Sequence, residues 1–144
     1  MDPFDLQRFV DAQAPLWPQV RAELAAGEKR THWMWFVFPQ LASLGRSATA
    51  KRYGIASRAE AQAYARHPLL GPRLVEGTRL VQAVRGRSLH EVFGSPDDLK
   101  FGSCMTLFHA AAPHEPAYAE AIERLLHGRP DAATLDWLAQ HDPA

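Results

Sequence analysis

Apolar and polar positions recur with a helical period along most of this chain. Phe4, Leu6, Phe9, Val10 and Ala14 are spaced for one helix face, with Asp5, Arg8 and Asp11 between them, which predicts a first amphipathic helix ending near Pro15. Trp17, Val20 and Leu24 mark a second, from about Leu16 to Ala26, with Gly27 as its C-terminal stop. The charged turn Glu28-Lys29-Arg30 then leads into the densest aromatic stretch, Thr31-His32-Trp33-Met34-Trp35-Phe36-Val37-Phe38-Pro39-Gln40. As a strand this stretch is apolar on both faces, and as a helix it is apolar nearly all round. No later segment supplies a convincing strand partner, and an unpaired strand would bury unsatisfied backbone groups. A short buried helix is therefore expected.

Residues 41 to 56 read as irregular, with a turn at Leu44-Gly45-Arg46-Ser47 and the bases Arg46, Lys51 and Arg52 around Tyr53. Ser57-Arg58-Ala59-Glu60 is a capping-box pattern opening a helix with Ala61, Tyr64 and Ala65, closed at His67-Pro68. Another helix follows from Pro68, with Leu70, Leu74, Val81 and Val84 apolar, and Gly71, Pro72 and Gly77 weakening its first half. Ser88-Leu89-His90-Glu91 repeats the capping box over a short turn that Gly94 ends. Ser95 suits an N-cap, Pro96 the first helical position, and Asp97 and Asp98 the positive end of the helix dipole. This helix should run to about Ala112, with Phe101, Met105, Phe108 and Ala112 on one apolar face. Pro116 to His127 and Asp131 to about Gln140 complete the set. The expectation is an all-α, compact single domain, residues 1–144, of seven or eight short helices.

Composition narrows the class of protein. Hydrophobic residues make up 47% and charged residues 22%, as in an ordinary globular protein. The 16 Lys and Arg balance 16 Asp and Glu, so no global field draws nucleic acid or an anionic membrane. The single cysteine, Cys104, excludes an internal disulfide and a multi-cysteine zinc site. No signal sequence or membrane span is read, and a cytoplasmic location is expected.

The blocks His32 to Gln40, Leu44 to Ser47, Tyr53-Gly54-Ile55, Glu60 to Tyr64, His67 to Leu74, Asp97 to Lys100, Ser103 to Phe108 and Asp131 to Leu135 span nearly the whole chain. In these blocks the sequence resembles the bacterial family of domains of unknown function numbered 1810, some of whose members carry an automatic calpastatin label. The resemblance implies a compact, mainly helical, cytoplasmic bacterial protein without a settled reaction. The calpastatin label fits a disordered polar inhibitor, unlike this globular composition. Gly102-Ser103-Cys104 departs from the family pattern, which has a bulkier residue and then two serines; that argues against any role needing a hydroxyl at position 104. The run Asp97-Asp98-Leu99-Lys100-Phe101 is also distantly similar to the NADAR proteins, which process ADP-ribose and related N-glycosides.

Each candidate has a plain reading beside a chemical one. Trp33 and Trp35 are core rings, or one of them stacks a base. His32 is a structural histidine or a general acid/base. Gln40 bonds backbone at a turn or reads a ligand edge. Asp97 and Asp98 answer the helix dipole, or one is a general base or grips a ribose diol. Lys100 pairs with Asp97 on the surface or meets phosphate at the helix N-terminus. Arg46, with Lys51 and Arg52, forms a solvated face or a phosphate patch; Ser47, Tyr53 and Ser103 complete the ligand candidates. Cys104 reads as a small buried residue. His109 and His114 lack the spacing of a metal pair, and no phosphate loop is present, so neither metal nor cofactor is expected.

Two functions follow from these readings. One is a hydrolase or binder of a nucleotide-like N-glycoside or ADP-ribose derivative, with Asp98, His32 and Lys100 carrying the chemistry. The other is a non-enzymatic interaction module or homo-oligomer in which the aromatic block is core.

Overall fold

Helix boundaries follow local chemistry over much of the chain. In the computed structural model, which describes residues 1–143, α1 spans Gln7–Gln13, α2 Trp17–Ala26, α3 Met34–Val37, α4 Ala48–Arg52 and α5 Arg58–Arg66. Then come α6 Leu70–Ala83, α7 Leu89–Phe93, α8 Asp97–Ala111, α9 Pro116–Leu125 and α10 Ala132–His141, with a 3₁₀ turn at Ala42–Leu44. Ten α-helices thus stand among the described residues where seven or eight were expected. The short α4 falls in a stretch read as irregular. The fold is all-α, and no helix among the described residues is long and apolar enough to cross a membrane.

Several caps are those the residue types demand. Gly27 ends α2 in the left-handed region at φ 73°, donating to the Glu23 and Leu24 carbonyls. Ser88 and Glu91 form both halves of a capping box. Asp131 accepts from the Thr134 N–H at the start of α10. Ser57 forms only half of its box: it accepts from the Glu60 N–H at 3.1 Å. The Glu60 carboxylate turns away to the Ala56 N–H at 3.0 Å and to Arg8 at 2.8 Å. The start of α8 also differs from expectation. The Pro96 carbonyl accepts from Leu99 and Lys100, so Pro96 is the cap residue and Ser95 lies one position outside the helix.

The core is organised around α8. Every residue from Phe101 to Phe108 is buried, because α5, α7, α9 and α10 all pack on this one helix. An apolar face alone was expected, with Ser103 and Thr106 on a polar side. Both hydroxyls are instead buried by bonding back to carbonyls four residues earlier, Ser103 to Leu99 at 3.3 Å and Thr106 to Gly102 at 2.8 Å. Thr106 also accepts the Asp131 N–H at 2.8 Å, which fixes the entry to α10. Gly71, a weak point by helix propensity, is what lets α6 begin against α5: a Cβ there would collide with the Ala65 carbonyl.

The aromatic block forms a single helical turn, α3, and then extends. Phe38 meets Phe101 edge-on at 5.2 Å and Phe93 at 5.9 Å, joining the block to α8 and α7. Leu41 and Ile55 form an isolated parallel bridge. The Ile55 N–H donates to the Gln40 carbonyl at 2.9 Å, and the Ala42 N–H to the Ile55 carbonyl at 2.8 Å. These bonds cinch the loop carrying the 3₁₀ turn and α4, whose N-terminus is capped by Ser47 accepting from the Ala50 N–H. Arg8 holds the far side of this loop through the Arg52 and Gly54 carbonyls at 2.9 and 3.0 Å. The cinched loop is thereby set beside the first turn of α8.

Candidate functional site

Two tryptophans separated by one residue go to different places. Trp33 is fully buried, and its indole N–H donates to Glu23 at 3.0 Å. Glu23 also accepts from the Thr31 hydroxyl at 2.7 Å, the Arg30 and Thr31 N–H groups at 2.7 and 3.1 Å, and Gln19 at 2.8 Å. Burial alone would raise the Glu23 carboxyl, but the bonds from Thr31, Arg30 and Gln19 outweigh it and hold it at about 2. Trp33 is therefore an anchor of the core. Trp35 is only half-buried, and the Lys100 ammonium lies 5.8 Å from its ring centre.

The loop from Gln40 to Ala50 and the first turns of α8 enclose a cleft of about 460 Å³. Gln40, Arg46, Ser47, Lys100 and Ser103 line it together, over an apolar surface of Leu44, Ala50, Pro96 and Leu99. Next to it, Trp35 and Tyr53 wall a recess of only about 10 Å³ that shares Gln40, Ala50 and Lys100 with the cleft. Seven sequence candidates thus fall on one cleft and its recess, although they are spread along the chain from Trp35 to Ser103.

The remaining candidates lie elsewhere. Asp97 is turned to the Lys29 ammonium at 3.0 Å and lies 3.8 Å from Lys100. Asp98 caps its neighbour's N–H and faces His90 at 3.3 Å. His32 is exposed on the turn before α3 and lines neither cavity. Of the basic cluster, Arg46 enters the cleft while Arg52 stacks over Tyr53 at 5.4 Å. Cys104 is fully buried, and burial pushes its thiol up, away from the reactive thiolate.

The sequence reading missed Lys29 and the apolar wall. Lys29 is 8% exposed, and its only sequence signal is a cation immediately before an aromatic block. Leu99 is 68% exposed at the cleft, a large apolar side chain in an otherwise polar first turn.

Chemically, the cleft offers two cations, an amide and two hydroxyls above an apolar floor. Among the described residues its lining includes no carboxylate or imidazole. Such a set suits an anion with an apolar body. No cluster of three or more His, Cys, Asp or Glu suited to a metal occurs among the described residues. A second cavity of about 430 Å³ lies between α6 and α9, but its carboxylates are engaged. Glu76 pairs with Arg21 at 3.2 Å, and Glu115 caps the Ala117 N–H at 3.1 Å.

Comparison with known proteins places the chain. Among solved structures it is similar to the conserved hypothetical protein Rv1873 from Mycobacterium tuberculosis, at 56% sequence identity and a TM-score of 0.94. That similarity covers 96% of this chain and 99% of the other. No curated protein matches. The family described as Protein of unknown function (DUF1810) matches residues 3–138, and the chain belongs to that family.

Proposed function

We propose that this protein binds a phosphate-bearing, nucleotide-like small molecule, of the ADP or ADP-ribose class, in the cleft between the Gln40–Ala50 loop and α8. The observation that carries the reading is the convergence of Arg46 and Lys100 with Gln40, Ser47 and Ser103 on one partly apolar cleft. Arg46 and Lys100 meet the phosphate oxygens as charge-assisted donors, the Ser47 hydroxyl, which accepts from the Ala50 N–H and keeps its own proton, adds a neutral one, and Gln40 reads a polar edge. The sugar of a nucleotide packs along the wall of Leu44 and Leu99.

Hydrolysis of an N-glycosidic bond is the second reading, and it rests on the acid-rich start of α8. Asp98 lies close in sequence to Lys100 but faces His90, and His32 lies off the cleft. Binding is therefore the better supported of the two, because its residues already converge.

Thermal unfolding with ADP, ADP-ribose, pyrophosphate and adenosine tests the proposal. A ligand at one hundred times its Kd stabilises the fold by about 2.7 kcal/mol, which raises the melting temperature by several degrees. ADP or ADP-ribose should do so, and recovery of the ligand intact after incubation favours binding over hydrolysis. A flat response across the panel would sink the reading and favour an interaction module with the aromatic block as core.

A further inference from the structure

The recess behind the cleft has aromatic walls yet no room. Trp35 and Tyr53 supply flat rings, but the space between them is about 10 Å³, at the lower limit for a single water and far too small for a base. Lys100 is the charged side chain among those that line it. Its ammonium stands over the Trp35 ring at 5.8 Å, and the residue lines both cavities.

Lys100 is held there by weak contacts. An ammonium over an indole at a half-exposed site contributes a factor of about three in equilibrium. Its other partner, Asp97, lies 3.8 Å away, longer than a good ion pair, and Asp97 is bonded more closely to Lys29 at 3.0 Å. Asp97 therefore stays in place whether or not Lys100 does. A phosphate in the cleft offers Lys100 a stronger, charge-assisted partner. Moving the ammonium towards Arg46 uncovers Trp35 and merges recess and cleft through the walls they share at Gln40 and Ala50.

We infer that Trp35 is a base-stacking subsite gated by Lys100: phosphate bound in the cleft draws Lys100 off the Trp35 ring and opens the recess to the base. The inference rests on the binding reading above and adds a selectivity rule. A nucleoside without phosphate finds the wall covered, whereas a nucleotide uncovers it. Gln40, common to both cavities, then lies at the junction between phosphate and base.

Calorimetric titration of the whole protein with ADP and with adenosine, on wild type, Lys100→Ala and Lys100→Met, tests the gate. In Lys100→Ala both the charge and the cover are gone, so ADP should weaken by about tenfold while adenosine tightens by about fivefold or more, the gain of one exposed stacking face. Lys100→Met keeps the stem over Trp35 without the charge, so ADP should weaken and adenosine should not tighten. Adding Trp35→Phe to Lys100→Ala should reduce the adenosine gain. If ADP binds wild type but Lys100→Ala leaves adenosine unchanged or weaker, the gate is wrong while the binding reading stands. If ADP fails to bind wild type, both fall.

Discussion

The Lys29 ammonium lies 3.0 Å from the Asp97 carboxylate, and only 8% of the Lys29 side chain is exposed. This pair ties the turn before the aromatic block to the first residue of α8. The Lys29 ammonium also lies 5.1 Å from the centre of the buried Trp33 ring, so little water is left to take the place of Asp97. Removing the acid strands a buried cation, whereas replacing the lysine with an apolar side chain does not. Asp97→Ala should therefore cost about 3 kcal/mol and Lys29→Met clearly less. Chemical denaturation of both variants and the double variant checks this, the double variant being predicted more stable than Asp97→Ala alone.

Glu23 makes stability depend on acid. Its folded pKa of about 2 lies below its ordinary value of 4.5, so its contribution is fully present above the unfolded value and is lost as pH falls through about 2. A shift of that size corresponds to roughly 3 kcal/mol at neutral pH. Glu23→Gln should lose most of this at pH 7, since an amide cannot accept all the bonds the carboxylate accepts. The gap between variant and wild type should narrow between pH 4.5 and about 2. Denaturation at a series of pH values measures it, and a gap independent of pH would show that Glu23 acts by packing alone.

Gly54 lies against Ala42 where the chain crosses beside the Leu41–Ile55 bridge. A Cβ at position 54 would collide with the Ala42 backbone, and the bridge bonds on either side allow little relief. Gly54→Ala should destabilise the protein by about 2 kcal/mol. Because the bridge sets the loop that carries Arg46 and Ser47, ligand affinity should drop as well.

Arg46 is a cation presented to the cleft with no ion pair to a protein carboxylate within the described residues. Arg46→Ala should leave the melting temperature of the free protein nearly unchanged and weaken ADP binding by about tenfold. Wild-type affinity should also fall with added salt, as screening predicts for a partly exposed ionic contact, and less steeply in the variant. Titrations at low and high ionic strength read both effects.

How far the sequence foretold this molecule depends on how local each cause was. Gly27, Ser88 with Glu91, and Asp131 act within one helical turn, so the elements they bound could be read directly. The burial of α8 on all sides could not, because Ser103 and Thr106 look polar until neighbouring helices cover them and their hydroxyls bond back along the helix. Glu23 reads as one more acid on an amphipathic helix. Apart from Gln19 on the same helix, its donors come from a loop seven to ten residues on, folded back over the end of α2. Trp33 and Trp35 are indistinguishable by type, and only the path of α3 sends one to Glu23 and the other to Lys100. The cleft residues could be named singly, as cations, hydroxyls and an amide of suitable chemistry. That they face one another follows from the bridge between Leu41 and Ile55, which joins residues too far apart for periodicity to reveal.

The most direct test of the account is a crystal structure of the protein soaked with ADP. It should place a phosphate between Arg46 and Lys100, within hydrogen-bonding distance of both, with Lys100 moved off the Trp35 ring. Well-occupied ADP bound elsewhere on the surface, with Lys100 still over Trp35 and the cleft empty, would contradict it.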